Sequence, residues 1–140
     1  MNIGIVGHEA KKFTPITKAK ARDIIYSLLS PGDIIVSGHC HLGGIDIWAE
    51  EIANELKLET LIFPPKTLQW DGGYKQRNIQ IAENCNEIHN IVVAKYPDSY
   101  TGLRFDYCYH CHTNEHIKSG GCWTAKLVEK MGKKAYWHVI

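Results

Sequence analysis

Short, nearly unbroken apolar runs alternate along the chain with segments whose apolar residues recur every three or four positions. The runs at 3–6 (IGIV), 33–37 (DIIVS), 61–63 (LIF), 89–94 (HNIVVA) and 135–140 (AYWHVI) have strand length and are rich in β-branched or aromatic residues. Between them lie four helical patterns. Thr14-Pro15 opens the first, which runs to about 29, with threonine as a good N-cap and proline suited to the first helical position. In the second, over 45–57, Ile45, Ala49, Ile52, Ala53 and Leu56 share one face. The third spans about 74–84. The fourth spans about 122–131, with Thr124, Leu127, Val128 and Met131 on one face and Gly132 ending it. Ser30-Pro31-Gly32-Asp33 and Pro64-Pro65 punctuate the remaining boundaries.

Near-continuous apolar strands alternating with helices predict a parallel sheet covered on both faces. The expected fold is α/β: a single doubly wound, Rossmann-like domain over 1–140, with a five-stranded, mainly parallel sheet and helices on both faces. Ligands in such folds bind outside the carboxyl ends of the strands. Four loops are expected to gather there, carrying His8-Glu9, His39-Cys40-His41, the segment 70–77, and a Cys/His-rich insertion at about 96–121.

With 140 residues, 44% of them hydrophobic, the chain can bury a real core. Sixteen basic and 15 acidic residues leave a net charge of +1, which gives no electrostatic reason to expect a duplex nucleic acid. No apolar run approaches a membrane span, and the first residues read straight into a strand rather than a leader. A cytoplasmic protein is expected. The five cysteines then read as thiols or metal ligands rather than disulfides.

Two strand-to-helix connections are glycine-rich. In SGHCHLGGIDIWAEE, Gly38, Gly43 and Gly44 lead from Ser37 into the second helix; in KSGGCWTAKL, Gly120 and Gly121 precede the last, with Ser119 and Thr124 as hydroxyl donors. Such turns let the backbone approach a ligand and aim the first helical N–H groups at an anion. Neither ends in the glycine-lysine-Ser/Thr of a P-loop, and neither carries the spaced glycines of the dinucleotide fingerprint. Arg77-Asn78, early in the third helix, offers a guanidinium for a phosphate or carboxylate and an amide for a sugar hydroxyl or a loop.

IIVSGHCHLGGIDIWAEEIA, DGGYKQRNIQIAENCNEIHNIVV and SGGCWTAKLVEKMGK together resemble the SLOG superfamily, which includes the "lonely guy" phosphoribohydrolases and the DNA-processing protein A fold. The likeness runs over nearly the whole chain and is carried by Ser37, Gly38, Gly44, Asp46 and Ala49, by Arg77-Asn78, and by the second Gly-Gly turn. It implies a Rossmann-like domain that binds a nucleotide or nucleotide-derived phosphate, in some members cleaving the base–ribose bond, and often self-associating into a homo-oligomer. Together with the loop and glycine-turn readings, the expected ligand site comprises Gly7, His8, Ser37, Gly38, Gly43, Gly44, Asp46, Arg77, Asn78, Ser119, Gly120, Gly121 and Thr124. One motif departs from the family: Trp123 stands in place of a third glycine, and Leu127 in place of the catalytic glutamate. Glu9, Asp46 or Glu50 would have to supply a carboxylate to an N-glycosidic reaction; Asp46 and Glu50, one turn apart, read more simply as a solvated helix face.

The stretch CYHCHTNEHIKSGGC sets Cys108, Cys111, His116 and Cys122 at a spacing close to that of a zinc knuckle. Four thiolate or imidazole donors in fifteen residues suit tetrahedral zinc. His110 and His112 are spare ligands. A connection of about 27 residues without a helix or strand pattern is long, and a structural metal would order it and fix the turn at Gly120-Gly121. Cys122, at a helix start, is also readable as a nucleophile. The alternative function is single-stranded nucleic-acid binding through the loop's aromatics with Arg104 and Lys118, against which the neutral overall charge argues.

Overall fold

The computed structural model describes residues 1–140. Five strands, β1 (Asn2–Gly7), β2 (Ile34–Ser37), β3 (Glu59–Ile62), β4 (Glu87–Val92) and β5 (Lys134–Val139), form one sheet in the order β3-β2-β1-β4-β5. Every neighbouring pair is parallel, so the sheet is wholly rather than mainly parallel. The helices are α1 (Pro15–Leu28), α2 (Ile45–Glu55), α3 (Lys75–Asn84) and α4 (Gly120–Lys130).

The first two crossovers step from β1 to β2 and β3. The third returns past β1 to β4, and the fourth goes on to β5. With right-handed connections, this reversal puts α1 and α2 on one face and α3 and α4 on the other. The two cores confirm the division. Ile3, Ile5, Ile35 and Ile91 pack with Ala21 and Ile25 of α1 and with Ile45, Trp48, Ala49, Ile52 and Ala53 of α2. Val6, Val36 and Ile88 pack with Ile81 and Ala82 of α3 and with Ala125 and Val128 of α4. Alternate residues of β1 therefore serve opposite faces, as the two-residue period of a strand requires. A Cβ on Gly4 would lie 2.9 Å from Ile88 Cγ1, so a side chain there would force the sheet and this second core apart.

α1 starts where the sequence predicts. Thr14 Oγ1 accepts from the Thr17 amide at 3.1 Å, and Thr17 Oγ1 accepts from the Thr14 amide at 2.8 Å, a reciprocal capping box with Pro15 behind it. No helix is long and apolar enough to cross a membrane.

Because the strand order reverses between β1 and β4, the connections leaving these two strands part in opposite directions and leave a crevice at their carboxyl ends. The β1–α1 turn, the β4–α4 connection and the start of α3 meet there.

Candidate phosphate cavity and metal centre

A cavity of about 300 Å³ opens over the ends of β1 and β4. Val6, Gly7, His8, Glu9 and Lys12 form one wall; Ser119, Gly120, Gly121 and Thr124 at the start of α4 form another, with Lys118 just ahead. Trp70, Tyr74, Arg77, Asn78 and Ile81 close a third side, and Cys40 and Asp46 reach in from the β2–α2 connection. Three cations, Lys12, Arg77 and Lys118, thus face two carboxylates, Glu9 and Asp46.

The wall at α4 is built from its N-terminus. Ser119 is the N-cap, its hydroxyl accepting from the Gly121 amide at 3.1 Å, and the positive end of the helix dipole points into the cavity. Gly121 must be glycine: a Cβ there would lie 2.5 Å from Asn90 Oδ1 and 3.2 Å from the Gly7 amide. His8 fixes the turn from beneath. Its Nδ1 accepts from the Val93 amide and its Nε2–H donates to the Lys118 carbonyl, both at 3.1 Å. Burial, with Lys12 nearby, drives its pKa down to about 3, so the ring is neutral and joins the β1 end to the chain entering α4. Lys118 lies over Phe105 and Tyr109, at 5.2 and 5.4 Å from the ring centroids, which holds its ammonium at the rim.

Arg77 is nearly buried and already partly engaged. Its Nη1 donates to the Gly38 carbonyl at 2.5 Å, its Nε donates to Asn78 Oδ1 at 2.8 Å, and its guanidinium lies over Tyr74. One of its five N–H groups therefore braces the β2–α2 connection and a second is taken by its α3 neighbour Asn78, and the others remain for a ligand. Asp46 is buried beside it and accepts from the Cys40 amide at 3.2 Å. Burial raises the Asp46 pKa, and Arg77 opposes the rise.

Of the thirteen residues that the sequence places at the ligand site, nine line this cavity: Gly7, His8, Asp46, Arg77, Asn78, Ser119, Gly120, Gly121 and Thr124. Ser37, Gly38, Gly43 and Gly44 stand behind it. The Ser37 hydroxyl donates to the Ile5 carbonyl, and Gly38 receives Arg77. Gly43 and Gly44 both have positive φ, and Gly44 sits so close to the His8–Ala10 backbone that a Cβ would come within 2.3 Å of the His8 carbonyl. These glycines let two connections pack together; they are not walls of the cavity. Glu9 and Asp46 face the cavity, whereas Glu50 lies outside it, paired with His39 at 2.7 Å. Leu127 lines a separate, smaller cavity.

The metal-site spacing resolves cleanly. The ligand atoms of Cys108, Cys111, His116 and Cys122 all lie within 4.8 Å of one another. The corners of a tetrahedron with zinc–sulfur bonds are about 3.8 Å apart, so contraction by at most about an ångström closes the shell. These four residues could hold a metal such as zinc. Neither His110 nor His112 belongs to the group. Backbone bonds between Cys108 and Thr113 close the Cys-x-x-Cys turn, with His112 in the left-handed region at φ 55°.

The electrostatics favour a cation. Burial and the neighbouring thiols of Cys122 and Cys108 push the Cys111 pKa up to about 12; burial and Cys108 also raise that of Cys122. Three thiols in one place resist ionising together, and a divalent ion at their centre reverses that penalty. Burial lowers the His116 pKa, leaving the neutral imidazole that a metal needs. Around Cys122, Asn90 Nδ2 donates to the sulfur at 3.3 Å. The buried indole N–H of Trp137, which makes no hydrogen bond, lies near the same thiol and favours its ionised form. Such N–H groups around a ligand sulfur orient it and spread its charge.

Lys12, Asn90 and Trp137 carry no motif that would single them out. Asn90 alone leaves a trace in the sequence, as a polar residue inside the apolar run HNIVVA. Asn90→Ala should weaken metal binding about 10- to 100-fold in competition with a chromophoric chelator; an unchanged affinity would remove Asn90 from the site.

The centre is not an independent knuckle. Cys108 and Cys122 are fully buried against Val92, Cys122 belongs to the first turn of α4, and both are part of the domain's interior. Only two residues separate Cys122 from the N-cap Ser119, so the metal centre and the cavity share one wall. No family model, curated protein or solved structure matches the chain at a significant level.

Proposed function

We propose that the protein is a SLOG-like domain that binds a nucleotide or nucleotide-derived phosphate in the cavity at the β1/β4 crevice, with a structural zinc on Cys108, Cys111, His116 and Cys122. The observation that carries the reading is the convergence of the α4 N-terminus, its glycine turn, and Lys12, Arg77 and Lys118 on one cavity of about 300 Å³. Helix dipole and cations both favour an anion. The cavity's size suits a nucleotide-scale ligand, with Trp70 and Tyr74 as the aromatic side for a base and Asn78 and Asp46 as partners for sugar hydroxyls. The zinc orders the approach to α4 rather than touching the ligand.

Glu9 and Asp46, on the same walls, favour a second reading in which the bound nucleotide is cleaved or transferred at its N-glycosidic bond. A carboxylate would then stabilise positive charge developing on the ribose. Binding alone requires neither group.

A thermal-shift titration with the four common nucleoside 5′-monophosphates tests the proposal. At least one should raise the melting temperature progressively with concentration, as a ligand of the folded state must. Lys118→Ala should weaken that ligand about tenfold, the loss of one charge-assisted contact. No shift with any of the four would overturn the binding reading, and chromatography for released base would decide the cleavage reading.

A further inference from the structure

A second cavity, of about 190 Å³, lies beside the first and is lined by His110, Trp123, Lys126, Leu127 and Lys130. The two flank one aromatic pair. Trp70 walls the first and Trp123 the second, and their rings meet edge to face at 4.9 Å. Helix geometry fixes their relation further. Gly120, Gly121 and Thr124 face the first cavity, whereas Trp123, Leu127 and Lys130, spaced i, i+4, i+7, face the second. The second therefore sits about a third of a turn around α4 and about 7 Å further along its axis.

Its chemistry is cationic. Lys130 pairs with no carboxylate; Lys126 makes only a loose contact with Glu129 at 3.6 Å and lies over the Trp137 ring. His110, on the insertion, packs against Tyr109 with the rings tilted by 50° and completes the lining. Two ammonium groups around a concave surface lined by the half-buried Trp123, with the exposed Trp70 against it, make a site for a phosphate attached to something that stacks.

Resting on the nucleotide reading of the first cavity, we infer that the natural ligand carries a second phosphate one nucleoside away from the first, as a dinucleotide does. The first phosphate lies at the α4 N-terminus. Its nucleoside extends over Trp70, held edge-on by Trp123, and the next phosphate lies between Lys126 and Lys130.

Isothermal titration at low salt compares each nucleoside 5′-monophosphate with the matching 5′-phosphorylated dinucleotide, AMP with pApA and so on through the four bases. The proteins are the unaltered chain and the double variants Lys126→Glu/Lys130→Glu and Lys126→Gln/Lys130→Gln. In at least one pair, the dinucleotide should bind the unaltered chain at least about tenfold more tightly than the monophosphate. Both double variants should bring it down to the monophosphate's affinity while leaving the monophosphate within about twofold, since neither lysine touches the first cavity. Equal affinities in the unaltered chain, or a parallel loss for both ligands in the variants, would overturn the second subsite alone. Failure of every monophosphate and every dinucleotide to bind would overturn the first cavity's reading with it.

Discussion

A Cys111→Ser chain should purify without zinc, whereas the unaltered chain should carry one zinc per molecule by elemental analysis, and the variant should lose monophosphate binding by at least tenfold. The substitution is chosen because almost nothing else hangs on this side chain. Cys108 and Cys122 are fully buried against Val92, and changing either would alter the core as well as the site. Cys111 is only half-buried, and serine is nearly its size. If the four residues were merely packed side chains, the exchange would sit among surface substitutions worth within about 0.5 kcal/mol. If they hold a metal, it removes one of four ligands and with it the restraint that ties the Cys-x-x-Cys turn to the start of α4. Hydrogen exchange should then speed up across 96–119 and in the first turn of α4, while β1, β2 and their helices keep their protection, because their cores contain no residue of the insertion. The loss at the cavity follows from chain connectivity: Lys118, Ser119, Gly120 and Gly121 lie between His116 and Cys122, and both of these would be released together. Unchanged zinc content would sink the metal reading. Zinc loss with unchanged monophosphate affinity would separate the two sites.

The sheet could be read from the chain because a parallel strand buried on both faces leaves a nearly unbroken apolar run, as at 33–37 and 89–94. The exception has a physical cause. The apolar run at 61–63 predicts β3, but the strand is Glu59–Ile62, since an edge strand exposes Glu59 and Thr60 and so shows no such pattern at its start. Similarly, α4 begins at Gly120 rather than near 122, because Ser119 caps it ahead of two residues whose low helix propensity masks the start. The metal centre was readable because its four ligands fall within one short segment and their spacing survives in the sequence. The cavity was readable only in part. The pocket needs Lys12 from the β1–α1 turn, and the sulfur of Cys122 needs Asn90 from β4 and Trp137 from β5; only the fold brings these together. Arg77 shows the opposite limit. Its type points to ligand binding, yet two of its N–H groups go to Gly38 and Asn78, which no local pattern could indicate.

Gly121→Ala should impair both sites at once: metal affinity and monophosphate affinity should each fall about tenfold or more, with a stability loss of about 1–3 kcal/mol from overpacking. The backbone at Gly121 is not in the left-handed region, so alanine meets no conformational penalty there, and the effect comes from space alone. The new Cβ would lie 2.5 Å from Asn90 Oδ1, on a side chain that is fully buried and cannot swing into solvent. Either Asn90 yields, and its amide loses the 3.3 Å bond to the Cys122 sulfur, or α4 withdraws from the β1 end, where the Gly7 amide is 3.2 Å from the same Cβ. The first response reaches the metal and the second opens the cavity. Gly120→Ala is the internal comparison, because a Cβ there meets nothing within 4 Å. It should keep zinc and fold stability, so any loss of ligand affinity in that variant reports contact at the rim alone. A chain in which Gly121→Ala binds zinc and monophosphates as tightly as Gly120→Ala would show that Asn90 does not couple the two centres.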